Sequence, residues 1–423
     1  MTIQELHKLF TAYPTICTDT RKITSNCLFF ALKGDLFNGN TFAANAIEKG
    51  AKYAIIDEEE YATEHTIVVP NVLETLQQLA NYHRQQSKAT VISLTGSNGK
   101  TTTKELINAV LSTTYKTIAT KGNLNNHIGV PLTLLSITPE TEIAIVEMGA
   151  NHQKEIAFLC SIAQPDFGYI TNFGKAHLEG FGGVEGIIKG KSELYDYLIQ
   201  QHEKIFFNAD DPIQLEKLAH YSDKIGFSSI TNNHYHITLE HANPFVTLKT
   251  EDTLISSQLI GSYNFTNCCA AILIGTYFKV SITDIKKAIE QYAPQNNRSQ
   301  ILKTDKHLIV LDAYNANPTS MEAALNNFKG MDVPPKILFL GDMFELGEAS
   351  AEEHQYIANL VCNMNFDKVY LIGEHFFKTQ TTASKYRTFD DLKNELISNP
   401  LPKSTLLIKG SRGMALERIL DIL

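Results

Sequence analysis

The first part of the chain contains short apolar runs that alternate with amphipathic segments. The apolar runs at 27–32, 53–56 and 66–69 predict strands, because an apolar run too short for a helix fits a buried strand. Apolar positions with helical spacing at 42–49 and 73–86 predict helices. This alternation indicates a small α/β unit at the start of the chain.

The pattern after this unit is that of a larger parallel sheet. An apolar strand at 90–94 leads into a glycine-rich turn and a helix at 101–113. Further apolar strands follow, and helical stretches separate them, as is typical of a doubly wound, mainly parallel sheet. These strands are predicted at 143–147, 167–171 and 204–208. Alternating polar and apolar residues at 236–239 and 246–249 instead indicate antiparallel strands.

A polar run at 294–299 separates this sheet from another alternation of strands and helices. The strands of this last segment are predicted at 308–312, 337–340, 368–372 and 406–409. The segment lacks the GxGxxG fingerprint, so nothing in it supports a nicotinamide site. The sequence therefore predicts an α/β fold whose last domain is Rossmann-like. The three predicted domains are 1–86, 87–297 and 298–423.

Composition narrows the class of protein. The chain has 423 residues, of which 43% are hydrophobic and 20% charged, which is enough for two or more cores. Neither a long apolar run nor an export signal is evident, so we expect a cytoplasmic protein without membrane insertion. The six cysteines are scattered, which indicates reduced thiols rather than disulfides or zinc. A net charge of -9 argues against a nucleic-acid partner.

A phosphate-binding loop is predicted between the strand at 90–94 and the following helix. Its glycines let backbone N–H groups turn towards the phosphates of ATP, Lys100 neutralises charge, and the Thr101 hydroxyl can ligate Mg²⁺. The sequence fits the short GxxGKT form, since Leu94 stands where the longer pattern has glycine. A glycine turn that merely caps the helix is the alternative. The residues of the predicted loop are Thr95, Gly96, Ser97, Asn98, Gly99, Lys100, Thr101 and Thr102.

The loop sequence TGSNGKTTTKE at 95–105 resembles the ATP loop of the Mur ligases, a family that is similar to the folylpolyglutamate synthetases. The resemblance continues through KGNLNNHIGVPLTL, VEMGAN, TNFGKAHL, KGKSEL and GSYN. In the last third it includes DAYNANPTSM at 312–321, LGDMFELGE at 340–348 and KGSRGM at 409–414. These last three motifs resemble the family members that add D-alanyl-D-alanine to a UDP-N-acetylmuramoyl-tripeptide.

Glu147 and His177 are the candidate metal ligands in addition to Thr101. Glu147 ends an apolar strand, where a carboxylate projects from the carboxyl edge of a parallel sheet. The resemblance implies that Glu147 and His177 together hold a second Mg²⁺ ion. A lone histidine is otherwise more often structural or exposed, and magnesium prefers oxygen ligands.

Lys191 in KGKSEL matches the lysine that many Mur ligases carry as a carbamate formed with CO₂. Carbamylation turns a cation into an anionic oxygen ligand that can bridge towards metal. Lys189 is the competing assignment, and a helix with exposed lysines is the plain structural alternative. The resemblance thus implies Lys100, His177 and Lys191 as catalytic residues.

The resemblance also implies that Asn264, Arg298 and Asp312 complete the ATP site. Asn264 begins an apolar helix, so its amide is equally suited to capping that helix. Tyr263 stands where the family usually has histidine. Arg298 and Asp312 match residues that close on the phosphates and the ribose, and a surface salt bridge is the alternative for both.

A polar loop after the strand at 308–312 is expected to contact the nucleotide or the incoming dipeptide. Its candidates Tyr314, Asn315 and Asn317 can orient ligand groups by hydrogen bonds, although a plain Asn-Pro turn looks similar. Asn125 and Asn126 match a polar family loop near the transferred phosphate. His127 stands where the family commonly has an acidic residue, so we assign it no catalytic role.

In the first domain, the segment that contains Thr20, Arg21 and Lys33 resembles the part of the family that receives the uridine diphosphate. Arg21 and Lys33 are able to grip a diphosphate, whereas isolated basic side chains are more often solvated. Residues 1–86 are therefore expected to bind the UDP-linked sugar peptide.

The function that the resemblance implies is ATP-dependent ligation through an acyl phosphate. ATP would phosphorylate the terminal carboxylate of UDP-N-acetylmuramoyl-tripeptide, and the amine of D-alanyl-D-alanine would then displace phosphate. The expected cofactors are ATP, two Mg²⁺ ions and a carbamylated lysine, and we expect a monomer. The alternatives are a tripeptide-forming or polyglutamate-type amide ligase, a P-loop ATPase, and a non-catalytic nucleotide-binding module.

Overall fold

A computed structural model of the chain describes residues 1–295, 297–331, 333 and 335–423. Asn296, which belongs to the predicted polar run at 294–299, lies outside the described residues. Within them, the strands form sheets of four, nine and six strands and one small hairpin, and each of the three sheets uses one continuous stretch of chain. None of the helices in these ranges is long and apolar enough to cross a membrane.

The first stretch forms a small parallel sheet with a hairpin beside it. Its strands are β1 (Ile16–Cys17), β2 (Leu28–Phe30), β3 (Lys33–Gly34), β4 (Phe37–Asn38), β5 (Tyr53–Ile56) and β6 (Thr66–Val68). Its helices are α1 (Ile3–Ala12), α2 (Ala43–Glu48) and α3 (Val72–Gln86). The order β1-β2-β5-β6 is parallel throughout, and β3 pairs with β4. The strand predicted at 27–32 ends earlier, because the Leu32 N–H turns back to the Phe30 carbonyl.

The middle stretch forms a nine-stranded sheet. Its strands are β7 (Thr90–Thr95), β8 (Thr117–Ala119), β9 (Ile143–Glu147), β10 (Phe167–Ile170), β11 (Lys204–Asn208), β12 (Lys224–Ser228), β13 (Tyr235–His241), β14 (Phe245–Thr250) and β15 (Thr253–Ile260). Its helices are α4 (Lys100–Leu111), α5 (Gly129–Leu134), α6 (Glu155–Ala163), α7 (Leu178–Phe181), α8 (Val184–Gln201), α9 (Pro212–Lys217), α10 (Phe265–Tyr277) and α11 (Ile282–Gln291).

The order of this sheet is β15-β14-β13-β12-β11-β10-β7-β9-β8. The strands from β8 to β13 pair in parallel, whereas β13, β14 and β15 pair antiparallel, as their alternating pattern predicts. Strands β7 and β9 are buried along nearly their whole length, which explains their continuous apolar sequence. Because neighbouring parallel strands end at one edge, the loops after β7, β9 and β10 meet there.

Helix α3 attaches the first stretch to the central sheet. It packs against α5 and α6, and its last turn carries the buried Arg84. The Arg84 guanidinium donates to the Ala163 carbonyl at 3.1 Å and pairs with Asp166 at 2.8 Å. Since Asp166 also accepts the Val91 N–H at 2.7 Å, this pair ties the helix to the first residues of the central sheet.

The last stretch forms a six-stranded sheet with one antiparallel edge strand. Its strands are β16 (Gln300–Lys303), β17 (His307–Asp312), β18 (Lys336–Gly341), β19 (Lys368–Ile372), β20 (Ser384–Tyr386) and β21 (Ser404–Lys409). Its helices are α12 (Pro318–Gly330), α13 (Ser350–Asn363), α14 (Glu374–Phe377) and α15 (Phe389–Ser398). The order is β16-β17-β21-β18-β19-β20. The carboxyl ends of β17, β21 and β18 therefore lie side by side. The loop after β17 contacts the phosphate loop through a hydrogen bond from Asn317 to Asn98.

Candidate active site

A cavity of about 920 Å³ lies between the carboxyl edges of the central and C-terminal sheets. The central sheet contributes the phosphate loop, the loop at 123–127 and the end of β9. The C-terminal sheet contributes the loop after β17, Glu345, and the turn after β21. This volume is near the upper end of the range of volumes found for small-molecule sites. The cavity therefore has room for a nucleotide and part of a second substrate.

The phosphate loop curls because two of its glycines adopt backbone conformations that other residues rarely take. Gly96 has a φ of 140° and Gly99 a φ of 80°. A side chain at Gly96 would also meet Thr171 Oγ1 at 2.0 Å. The chain then enters α4 at Lys100, which turns the positive N-terminus of the helix towards the cavity.

Most of the predicted loop residues line the cavity, and two lie behind it. The lining residues are Ser97, Asn98, Gly99, Lys100, Thr101 and Thr102. Thr95 is buried and its hydroxyl donates to the Met148 carbonyl at 2.8 Å, so it fastens β7 to the residue that follows β9. Thr95 and Gly96 therefore shape the loop rather than line the space for a ligand.

The Lys100 amine is held back on its own loop. It donates to the Gly96 carbonyl at 2.7 Å and to the Ser97 carbonyl at 3.2 Å. Desolvation lowers the pKa of Lys100 to about 8; the Glu147 carboxylate opposes this shift, and the Arg298 charge adds to it. A polyanion in the cavity would compete with the two carbonyls for this cation.

Glu147 lies at the bottom of the cavity with one oxygen satisfied and one not. Its Oε1 accepts from Thr101 Oγ1 at 3.2 Å and from Asn125 Nδ2 at 2.7 Å. Its Oε2 is buried without a hydrogen-bond partner, and Lys104 Nζ lies 3.9 Å away. A buried carboxylate oxygen without a partner is costly, so this atom is suited to a cation that arrives with the ligand.

The donor set fits magnesium better than a softer metal. Glu147 and Thr101 offer oxygen, and Mg²⁺ usually combines few protein oxygens with waters and substrate phosphates. Among the described residues, no group of three or more histidine, cysteine or acidic side chains is gathered to hold a metal by itself. This is the arrangement expected when phosphates supply the remaining ligands.

His177 reaches the cavity from the loop after β10 and contacts the C-terminal domain. Its Nδ1 lies within hydrogen-bond distance of Glu345 Oε2, and this hydrogen bond lowers the pKa of the Glu345 carboxyl. Since a carboxylate can only accept, the proton of this hydrogen bond lies on Nδ1. Both residues have positive φ, 55° at His177 and 62° at Glu345, a backbone conformation often found at functional sites.

The two candidate lysines of α8 have different surroundings. Lys189 is exposed, whereas Lys191 is fully buried. The Lys191 amine donates to the Ala150 carbonyl at 2.9 Å and lies 4.8 Å from the centre of the Phe181 ring. Burial lowers the pKa of Lys191 well below its ordinary value, and the nearby Lys100 charge adds to this. Lys191 itself lies behind the cavity wall, which Ala150 forms.

Arg298 and Asp312 lie on the C-terminal wall of the cavity. The Arg298 guanidinium stacks on the Tyr314 ring, with 3.6 Å between the guanidinium carbon and the ring centre. Asp312 pairs with the buried Lys409 at 2.6 Å and also accepts the Ser299 N–H at 3.1 Å. All of these residues line the cavity.

The loop after β17 touches the phosphate loop directly. Asn317 caps α12 through its side-chain oxygen, and its Nδ2 donates to Asn98 Oδ1 at 2.8 Å. Asn315 lines the cavity, and its carbonyl accepts from Lys409 at 3.2 Å. The sequence motif therefore serves both as a helix start and as a bridge between domains.

Asn264 and Asn126 line the cavity, but both amides have structural partners. Asn264 Nδ2 donates to the Ile260 carbonyl at 2.8 Å, and its Oδ1 accepts from Asn267 at 2.8 Å. Asn126 Oδ1 accepts the backbone N–H of Gly129 at 2.9 Å at the start of α5. Either residue can contact a ligand only through its remaining atoms or after exchange of a partner.

The first-domain candidates lie away from this cavity. Thr20, Arg21 and Lys33 are absent from the walls formed by the described residues. The Arg21 side chain is 86% exposed and pairs with Asp19. Lys33 pairs with Asp57 at 2.9 Å and with Glu58 at 3.1 Å. Both cations are therefore paired with nearby acidic residues. The sequence motif did not reveal these ion pairs.

Several wall residues had no assigned role in the sequence. Asn267 lies three positions after the predicted Asn264 and packs against Gly99, where a side chain would meet its Oδ1 at 2.6 Å. Glu345, Lys409 and Arg412 lie in the motifs at 340–348 and 409–414 that resemble those of the Mur ligases. Their individual functions depend on contacts across the cavity. Their position in those motifs is the signal that could have singled them out.

Family models match almost the whole chain. The Mur ligase family catalytic domain matches residues 13–84, the Mur ligase middle domain matches 94–275, and the Mur ligase glutamate ligase domain matches 297–412. The chain is also 35% identical to UDP-N-acetylmuramoyl-tripeptide–D-alanyl-D-alanine ligase of Bacillus subtilis, across 96% of this chain and 92% of that protein. The chain belongs to the Mur ligase family. A ligase of the same name from Escherichia coli is 34% identical to this Mur ligase, across 96% and 93% of the two chains.

This Mur ligase also aligns with solved structures along its length. MurF from Acinetobacter baumannii has a TM-score of 0.87 at 30% identity, covering 99% of this chain and 98% of that chain. The MurF ligase from Thermotoga maritima, solved in complex with ADP, has a TM-score of 0.83 at 26% identity and covers 96% of each chain. The α/β fold of three domains predicted from the sequence is thereby confirmed.

The affinity of this Mur ligase for ATP is expected to fall above about pH 8, the pKa of Lys100 in the ligand-free protein. Phosphate oxygens beside Lys100 favour the protonated amine, so bound ATP raises this pKa. The affinity is therefore constant while free Lys100 is protonated, and above that pH it falls by up to about tenfold per pH unit. Isothermal titration calorimetry in two buffers of different ionisation enthalpy measures the affinity and the proton taken up.

The control for this prediction is Lys100→Gln, which has no proton to exchange at this position. It should bind ATP more weakly than the wild type, with an affinity that does not follow pH in this range. A wild-type affinity that stays constant through alkaline pH, with no proton uptake, would contradict the lowered pKa of Lys100.

The hydrogen bond between Asn317 and Asn98 is expected to hold the central and C-terminal domains of this Mur ligase together. Asn317→Ser keeps a side-chain oxygen that caps α12, but serine is too short to reach Asn98. We expect a roughly fivefold rise in KM for ATP, the effect of one lost neutral hydrogen bond. Energy transfer between dyes on the central and C-terminal domains should show a larger distance.

Ser320→Ala is the matched control, because it removes the other half of the same capping box and leaves the bridge to Asn98 in place. The domain distance should stay at the wild-type value in Ser320→Ala. Equal effects of the two substitutions would mean that helix capping, rather than the bridge, accounts for the change.

Proposed function

We propose that this Mur ligase joins D-alanyl-D-alanine to a UDP-N-acetylmuramoyl-tripeptide at the expense of ATP, forming the UDP-linked pentapeptide precursor of peptidoglycan. The observation that carries the proposal is the single cavity in which the phosphate loop and Glu147 face the motif residues Tyr314, Asn315 and Asn317. The names of relatives that match this chain along nearly their whole length support the same substrates.

The reaction has two steps. In the first, a carboxylate oxygen of the tripeptide attacks the γ-phosphorus of ATP, the bond from that phosphorus to the β–γ bridging oxygen breaks, and ADP leaves. In the second, the neutral amine of the dipeptide attacks the acyl carbon, the bond from that carbon to the phosphate oxygen breaks, and the departing phosphate takes up the proton that the nitrogen loses. Lys100 and the N-terminus of α4 stabilise the charge that develops on the phosphoryl oxygens.

Magnesium would be held by Glu147 and Thr101, with His177 as a further ligand, and when bound it would neutralise phosphate charge. Arg298 and Asp312 would close on the nucleotide from the C-terminal side. The walls from both domains would have to close around the reactants, because an acyl phosphate open to solvent would hydrolyse.

A carbamate on Lys191 is part of this proposal. The amine is buried and its pKa is lowered, so its neutral form, which is the form that reacts with CO₂, is favoured. The carbamate would place an anion near Lys100 and would offer its oxygens to a metal. The burial of Lys191 and the exposure of Lys189 favour Lys191 as the modified residue.

The first domain would bind the uridine diphosphate through Thr20, Arg21 and Lys33. The exposure of Arg21 supports this role, because its guanidinium is free to exchange Asp19 for a phosphate. We further propose a monomer in the cytoplasm, where ATP and UDP-linked precursors are present, and the domain division 1–86, 87–297 and 298–423.

Phosphate release with ATP, Mg²⁺, UDP-N-acetylmuramoyl-tripeptide and D-alanyl-D-alanine tests the proposal. Each component is omitted in turn, tripeptides with lysine or diaminopimelate are compared, and the product is identified by mass. Release that needs all four components and yields a pentapeptide is the expected result. Release without dipeptide, or with another amine acceptor, would instead favour an ATPase or a different amide ligase.

A further inference from the structure

The cavity needs a cation for the second substrate as well as for the phosphates. D-alanyl-D-alanine carries an amine that must reach the acyl phosphate and a carboxylate that must stay unreacted. That carboxylate is best held away from the phosphate loop, since a carboxylate beside the γ-phosphate would compete for phosphorylation. A cation on the C-terminal wall would keep the two ends of the dipeptide apart.

Most cations of the cavity wall already have other partners. Lys100 belongs to the phosphate loop. Arg298 stacks on Tyr314, and its charge is near enough to Lys100 to lower the pKa of the Lys100 amine. Lys409 is only 2% exposed and is held by Asp312 at 2.6 Å. Lys154 is exposed on the central domain at the start of α6. Of the two arginines on the C-terminal wall, Arg298 is already assigned to the nucleotide, which leaves Arg412 for the second substrate.

The backbone that presents Arg412 is firmly positioned. Arg412 begins a short 3-10 helix, Arg412–Met414, directly after the buried Ser411. The Ser411 N–H donates to the Asp342 carbonyl at 3.1 Å, and the Ser411 hydroxyl accepts the Phe344 N–H at 2.9 Å. The turn is thereby fixed to the loop that carries Glu345, and both loops line the cavity.

The Arg412 side chain is available to a ligand. It is 62% exposed, and among the described residues its guanidinium donates one hydrogen bond, to Glu417 at 3.3 Å. The guanidinium carbon lies 5.8 Å from the centre of the Tyr314 ring, which Arg298 contacts at 3.6 Å. A guanidinium has five N–H donors in a planar fork, so Arg412 can bind a carboxylate with two parallel hydrogen bonds.

We propose that Arg412 binds the terminal carboxylate of the incoming dipeptide and thereby directs the dipeptide amine towards the acyl phosphate. This inference rests on the proposed function and adds to it a residue that selects amine substrates ending in a free carboxylate. Tyr314, placed beside Arg412, would orient the guanidinium.

Comparison of D-alanyl-D-alanine with its C-terminal amide tests the inference. In the wild type, kcat/KM should fall about twentyfold when the carboxylate is replaced by the uncharged amide, the effect of one lost hydrogen bond to a charged group. In Arg412→Gln, kcat/KM for the acid should fall by a similar factor, and the preference for acid over amide should disappear. Arg412→Lys should keep part of the preference, because it keeps the charge without the fork.

Two controls separate this role from a general defect. The KM for ATP and for the UDP-linked substrate should stay within about twofold of the wild type in Arg412→Gln, as expected for an effect confined to the dipeptide. Lys154→Gln removes the exposed cation of the opposite wall and should keep the preference for acid over amide. Loss of the preference in Lys154→Gln instead would place the carboxylate on the central domain and overturn the inference.

The remaining outcomes also decide the matter. If the wild type ligates the dipeptide and Arg412→Gln retains the preference for the acid, the assignment of Arg412 is wrong while the proposed function stands. If Arg412→Gln raises the KM for ATP instead, Arg412 belongs to the nucleotide site. If the wild type does not consume D-alanyl-D-alanine at all, the proposed function fails and the inference fails with it.

Discussion

Lys100→Ala is expected to lower kcat for ligation by about a thousandfold. The transferred phosphoryl group carries charge that Lys100 neutralises at the moment of transfer, and no second cation of the phosphate loop can replace it. Among the described residues, the Lys100 amine donates its hydrogen bonds to carbonyls of its own loop, so its removal should leave the fold intact. Single-turnover formation of ADP and of the amide product measures the loss in each step.

Lys116→Ala is the control for this substitution. Lys116 is exposed shortly after the far end of α4, so its loss removes a positive charge without touching the cavity. It should ligate at the wild-type rate. A Lys100→Ala protein that is folded by circular dichroism and retains more than about a tenth of the wild-type kcat would show that the loop does not bind the transferred phosphate.

The second large effect is expected at Lys191. Lys191→Ala should lower kcat by about a hundredfold or more, because the anionic oxygens of the proposed carbamate would be lost from beside the phosphate site. In the wild type, ¹³C-labelled bicarbonate should give a carbamate signal by NMR at neutral pH, and that signal should be absent from Lys191→Ala. Activity should also rise with added bicarbonate in enzyme freed of CO₂.

Lys189→Ala provides the matched control on the same helix. Its side chain is exposed, so both the carbamate signal and the activity should persist. A carbamate signal that disappears in Lys189→Ala and persists in Lys191→Ala would reverse the assignment. Full activity of Lys191→Ala without any signal in the wild type would mean that Lys191 serves packing alone, through Ala150 and Phe181.

The helix of these two lysines shows what could be predicted from the pattern. The buried residues of α8 include Ile187, Lys191, Leu194 and Leu198, which recur with the spacing of one helix face. Lys191 therefore lies on the apolar stripe and Lys189 does not. The spacing was available in the sequence, but the surroundings that lower the Lys191 pKa come from other elements.

The order of the strands in the sheets was harder to predict from the sequence than the positions of the strands. The apolar runs at 143–147, 204–208 and 368–372 agree with β9, β11 and β19, because continuous apolar sequence is typical of strands buried on both faces. The short edge strands β8 and β20 were not predicted. They are only partly buried, so their sequences carry little of the hydrophobic pattern on which such a prediction depends.

The sequence by itself determined the chemistry of the phosphate loop, the α/β alternation and the kinds of side chain in each motif, since these depend on neighbouring residues. Only the tertiary structure decided which side chains meet. Asn317 donates a hydrogen bond to Asn98, which is 219 positions away in the sequence. His177 contacts Glu345, which is 168 positions away. Such contacts depend on how two sheets and their linker pack together, and no local pattern encodes that geometry.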